Sequence, residues 1–118
     1  MWRRAWFDEV MPVETPPAIA AFISATNAED TQGFLAAFAD DALLDDWGRR
    51  FHGPSEIASW NLSDNIGKHS RFDLVEIVEG EQPGEYIVTM DVAGEGYNGI
   101  GTMTFVVAHT LITSLVIT

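Results

Sequence analysis

Residues 38–61 read FADDALLDDWGRRFHGPSEIASWN, and the parsing of this stretch decides the fold. Four aspartates, Asp40, Asp41, Asp45 and Asp46, stand in two pairs around Ala42, Leu43 and Leu44. Trp47 and Gly48 come at once after them, and Gly53-Pro54 then opens a run in which Ile57, Trp60 and Asn61 fall at helical spacing. Proline suits the first turn of a helix, where its missing N–H would be unbonded in any case. The stretch therefore reads as a strand, roughly residues 42–51, that feeds a helix. Either one of its carboxylates is held in a pocket for chemistry, or all four are solvated.

Upstream of it, Thr15 is an N-cap candidate and Pro16 a first helical residue. Ile19, Phe22, Ile23 and Thr26 recur at i, i+3, i+4 and i+7, one face of a helix. Residues 27–30 break that pattern, and Asp30 can cap a second short helix with Phe34, Leu35 and Phe38 on its buried side. Downstream the period changes. FDLVEIVE, EYIVTMDVA, GIGTMTFVVAH and LITSLVIT are rich in β-branched and aromatic residues, separated by EGEQPG, GEGYNG and a tight AHT. Connections this short favour antiparallel neighbours. Three helices in the first half and a long meander in the second make an α+β domain, helices packed on one face of a curved, mainly antiparallel sheet.

At 118 residues the chain has the size of one domain with a real core. Eighteen acids against 6 bases give a formal charge of −12, which argues against nucleic acid and anionic membranes as partners. No apolar run approaches the roughly 18 residues of a membrane span. The absence of cysteine excludes disulfides and thiol nucleophiles and fits a cytoplasmic protein. Residues 1–14 differ from the rest of the chain: they hold Trp2, Trp6, Arg3, Arg4 and a second methionine, Met11. They read as an N-terminal extension to a domain spanning 15–118, with Met11 an alternative start. A sharper reading has Trp2, Trp6 and Phe7 covering a pocket or a neighbouring subunit. Asp8 and Glu9 fall where a signal peptide needs its apolar core.

ATNAED (25–30), FADDALLDDWG (38–48), FHGPSEIASW (51–60) and the closing LITSLVI (111–117) together resemble the NTF2-like superfamily, and within it the SnoaL-like and ketosteroid-isomerase-like branch. The resemblance runs from about Pro16 to the end. It implies a cone: three helices closed over a strongly bent sheet, a deep and mostly apolar cavity, and often a homodimer formed through the outer face of the sheet. In ketosteroid isomerases the catalytic base is an aspartate in a segment similar to ALLDDW. Matching residue by residue places that base on Asp46, with Asp45 on the opposite face of the strand. A carboxylate in an apolar cavity has its charged form disfavoured, which brings it towards the range of a working general base. The second half of that machinery does not match. The tyrosine that holds the developing oxyanion corresponds to Phe22, and the protonated acid to Thr102 or Met103, so another donor must hold an enolate.

Asp91 interrupts an apolar strand and is a second catalytic candidate, able to face either the cavity or water. Phe22, Phe38, Trp60, Tyr97 and Met103 are expected as core or cavity wall, and aromatic walls with few polar groups suit a hydrophobic small molecule. His69 comes after the third helix, at an expected cavity mouth. One of Arg49 and Arg50 can turn inward to pair with Asp46. The histidines are scattered, with no metal-ligand or calcium-loop spacing, so no metal and no cofactor are expected. GEGYNGIG lacks the strand, helix and lysine of a phosphate loop and reads as a hairpin loop at the cavity rim. The function expected is a small-molecule-binding protein of isomerase or cyclase type, with Asp46 as general acid or base on a hydrophobic carbonyl compound. The alternative is a ligand-binding or dimerisation module without chemistry.

Overall fold

The computed structural model describes residues 13–118. The readings of Trp2, Trp6, Phe7 and Met11 lie outside those residues.

Helix α1 spans Pro17–Asn27 and α2 spans Thr31–Ala36. Pro16 itself occupies the cap position and Pro17 the first helical one, so Thr15 caps nothing. Asp30 does cap α2, its carboxylate accepting from the Gly33 N–H at 3.0 Å. The chain then extends as β1, Phe38–Asp46, and returns as β2, Arg49–His52. The single strand expected over 42–51 is thus a tight hairpin, Asp46 pairing with Arg49 across Trp47 and Gly48. Both turn residues take positive φ, 53° and 91°, as a two-residue hairpin of matching twist requires. Phe38 belongs to β1 and not to α2, and Asp40 and Asp41 sit exposed on that strand.

Helix α3, Gly53–Asp64, buries Ile57, Trp60 and Asn61, the face expected from their spacing. A short 3₁₀ turn, Ile66–Lys68, leads to β3 (Arg71–Glu79), β4 (Glu85–Ala93), β5 (Gly99–Ala108) and β6 (Leu111–Ile117). The six strands lie in the order β2-β1-β6-β5-β4-β3, antiparallel throughout except for β1 against β6. Register shifts within the β1–β6, β3–β4 and β5–β6 pairs bend the sheet over the helices.

Phe22 stands at the centre of the core, 0% exposed, with ring centroids of Phe34, Phe38, Phe72 and Phe105 between 5.2 and 6.1 Å away. Polar clamps fix the helices around it. Asn27 brackets the Phe72 backbone with two hydrogen bonds of 2.9 and 2.8 Å, pinning the end of α1 to β3. Buried Asn65 donates to Thr26 and to Asn61, joining α1 to α3. Among the described residues no buried side-chain polar atom lacks a partner, so the interior carries no desolvation penalty left uncompensated there. No helix among them is long and apolar enough to cross a membrane. On the outer face of the sheet, opposite buried Val88 and Met90, Val78, Ile87 and Ile100 are exposed.

Candidate functional site

Between α3 and the concave face of the sheet lies a cavity of about 260 Å³. Trp60 of α3, Phe72 of β3, Val92 of β4, Met103 of β5 and Ile117 of β6 form its apolar wall. Strand alternation accounts for most of this. Val88, Met90 and Val92 are buried on one face of β4, and Met103 pairs with Val88 across the ladder.

One end of β1 places Asp46 in the same wall, its side chain 16% exposed. Its Oδ2 accepts from the Trp60 indole N–H at 2.9 Å and from the Arg49 guanidinium at 2.6 Å. Arg49 also donates to Asp64, one turn of α3 beyond Trp60, and so joins two wall carboxylates. Burial pushes the Asp64 carboxyl up, but the hydrogen bonds from Arg49 and Ser63 outweigh it and hold Asp64 below its ordinary value. The same two carboxylates hold the Arg49 guanidinium above its own, chiefly through the hydrogen bond to Asp64. Of the two arginines expected as partners it is Arg49 that pairs with Asp46, and Asp64 adds a second carboxylate to the wall. Asp46 carries a cation and an indole donor on one oxygen; among the described residues no donor is bonded to Oδ1.

Asp45 points elsewhere. It accepts from the Gly48 N–H at 2.7 Å and lies 3.4 Å from Arg50 Nε, so it shapes the hairpin turn. Asp91 is exposed, paired across the ladders with Asp73 and Ile100. The buried face of β4 is the one carrying Val88, Met90 and Val92, so period-2 alternation sends Asp91 outward and it does not meet Asp46.

Of the expected wall residues, Trp60, Tyr97 and Met103 line the cavity, whereas Phe22 is enclosed by rings. Phe38 borders a separate groove with Leu35, Ile57 and Leu111. His69 is exposed and paired with Glu29 at 2.8 Å, which raises its affinity for a proton first through that hydrogen bond and then through the charges of Glu29 and Glu95. It flanks the wall without joining it. Its neighbours Lys68 and Ser70 do line the cavity, as do Trp47 and Asp64. The sequence held a signal for Asp64, which stands four residues after Trp60 on one helix, and for Phe72 and Val92 in the alternation of their strands. It held none for Lys68 and Ser70, which a 3₁₀ turn delivers. Among the described residues no group of His, Asp or Glu is placed to hold a metal ion.

No family model matches the chain, and comparison with curated proteins finds no match either. Solved structures do resemble it. A candidate polyketide cyclase from Sinorhizobium meliloti superposes with a TM-score of 0.79 at 23% identity, over 88% of this chain and 95% of its own. An NTF2-like protein from Cytophaga hutchinsonii gives 0.74 at 14% identity, covering 92% of each chain. The Δ5-3-ketosteroid isomerase of a Mycobacterium gives 0.73 at 21% identity, over 86% of this chain and 88% of that one. Helix order, the bent and mostly antiparallel sheet and these superpositions together make the protein one of NTF2-like fold.

Proposed function

We propose that the cavity binds a hydrophobic carbonyl-containing small molecule and that Asp46 moves a proton on it. The observation that carries this reading is the placement of Asp46, a carboxylate oriented by Trp60 and Arg49, in a cavity wall that Trp60, Phe72, Val92, Met103 and Ile117 make largely apolar. Two proteins of similar fold named as a candidate polyketide cyclase and a ketosteroid isomerase support it by analogy. In the proposed step Oδ1 takes a proton from the carbon next to the carbonyl, the electron pair moves into the carbonyl as an enolate, and the proton returns at a different carbon. Phe22 offers no hydroxyl to the enolate oxygen, so a donor must come from elsewhere in the wall.

The test begins with a thermal-shift screen of hydrophobic ketones, lactones and polyketide-like phenols. A ligand present at a hundred times its dissociation constant adds about 2.7 kcal/mol of stability. Bound ketones are then tracked by NMR in heavy water for exchange of hydrogen next to the carbonyl. Wild type catalyses that exchange, and Asp46→Asn binds the same ketone but exchanges it about 10²- to 10⁴-fold more slowly. Equal exchange by both proteins would remove Asp46 from the mechanism. A second reading, binding without chemistry, is favoured by the ring-enclosed Phe22; it predicts ligand binding with no exchange in wild type. We further assign the exposed outer face, with Val78, Ile87 and Ile100, to a homodimer, which sedimentation at micromolar concentration tests.

A further inference from the structure

The chain has a single lysine, Lys68, and it stands in the cavity wall. We propose that the ligand of this cavity is an aromatic compound carrying an ionised oxygen acid, a carboxylate or an enolate, and that Lys68 recognises it. The proposal rests on the reading of this cavity as the ligand site and adds the ligand's charge and ring character.

Three of the wall's other donors are already committed, and those that are not, the Trp47 indole and the Ser70 and Thr118 hydroxyls, carry no charge. The Trp60 indole donates to Asp46, the Asn65 amide to Thr26 and Asn61, and the Tyr97 hydroxyl to the Ile100 carbonyl at 2.6 Å. Arg49 is shared between Asp46 and Asp64. Lys68, by contrast, makes no ion pair among the described residues.

Its position is set by the backbone. The Lys68 N–H donates to Asn65 O at 2.9 Å, and its carbonyl accepts from the Glu95 N–H at 2.8 Å. Only a glycine fits beside it at position 94, where a Cβ would lie 2.9 Å from the His69 carbonyl oxygen and 3.0 Å from that of Lys68. The ammonium is therefore a cation carried on a fixed rim.

Local charge permits an anion there. Within the wall Asp46 and Asp64 are offset by Arg49 and Lys68, and the nearby Glu29 is paired with His69. The rest of the chain's −12 is screened beyond about 8 Å at physiological salt. A neutral ligand covering Lys68 would strip water from an ammonium and return no partner.

The rim also explains the aromatic part. Trp47 is 77% exposed and Tyr97 61% exposed, and both stand at the cavity. Trp47 is held there by a left-handed turn, φ 53°, that only the hairpin geometry imposes on so bulky a residue. Flat rings stack on such surfaces.

The experiment uses two probes of one ring system, naphthalene carboxylate and acetylnaphthalene, titrated calorimetrically at neutral pH into wild type, Lys68→Met and Lys68→Arg. The carboxylate binds wild type about tenfold or more tighter than the ketone, as a hydrogen bond to a charged partner implies. Lys68→Met abolishes that preference by weakening the carboxylate, with ketone affinity no lower than in wild type, while Lys68→Arg retains most of it. Added salt weakens the carboxylate alone. Equal affinities in wild type, or a Lys68→Met variant that weakens both probes alike, would overturn the proposal. Ketone binding without carboxylate preference leaves the cavity reading standing; binding of neither probe removes both.

Discussion

Replacing Phe22 by Tyr tests the placement of the core against the cavity. The substitution adds one hydroxyl at the position that the resemblance to ketosteroid isomerases assigns to an oxyanion donor. In this structure Phe22 is 0% exposed and faces four phenylalanine rings, none with a polar atom to offer. A hydroxyl buried without a partner costs about 1–3 kcal/mol. Forcing an extra atom into a packed core costs about 1–3 kcal/mol more. The sum, about 2–6 kcal/mol, is a large share of the roughly 5–15 kcal/mol that holds a domain of this size together. Urea unfolding monitored by circular dichroism reads it directly. With a slope of about 1–3 kcal/mol per molar urea, the midpoint falls by about 1 M or more at unchanged slope. A Phe22→Tyr protein as stable as wild type would refute the reasoning, because its hydroxyl would then have reached the cavity or water and Phe22 would be wall rather than core.

Acid stability should depend on Asp64. Its folded-state carboxyl titrates below the ordinary 3.8, so its contribution is present above that value and is lost as pH falls beneath it. Melts below about pH 4 are therefore expected to show a shallower acid decline in Asp64→Asn than in wild type. His69 acts in the opposite sense: it titrates above 6.5 in the folded state, so its pairing with Glu29 stabilises below 6.5 and that contribution is lost as pH rises through the raised value. The Tm difference between wild type and His69→Gln should shrink as melts are moved upward from about pH 6, and a constant difference would contradict the assignment. Gly94→Ala places a Cβ against two carbonyl oxygens at φ 152° and should destabilise by about 1–3 kcal/mol while weakening ligands that span the rim, read by the same urea and titration assays.

The resemblance in residues 25–60 and the closing strand correctly indicated the NTF2-like fold, and the residues themselves said why its elements form. Asp30 caps α2 because its carboxylate reaches a backbone N–H three residues on, a contact wholly local to the chain. Gly53-Pro54 starts α3 for an equally local reason, and the 3.6 period of Ile57, Trp60 and Asn61 marks its buried face. The β period sorted Ile87, Thr89 and Asp91 from Val88, Met90 and Val92, but alternation alone does not say which set faces inward. That depends on which side of the sheet the helices cover.

Residues 38–52 were the least legible part. Phe38 continues the apolar pattern of α2, yet it is drawn into β1, where it packs against Phe22 and Phe34 from another direction. The turn at Trp47-Gly48 was hidden because a tryptophan at positive φ is locally unfavourable; pairing of Asp46 with Arg49 across two strands overrides it. The site shows the same division. Sequence by itself determined the three helices, the four strands of the second half and the placing of Asp45 and Asp46 on opposite faces of a strand. Only the tertiary structure joined Asp46 to Trp60 and Arg49 to Asp64, 14 and 15 residues apart, and carried Lys68 to the cavity rim. Local pattern is written in backbone geometry over a few residues, whereas a charged cluster exists only once packing has brought distant side chains within a few ångströms of one another.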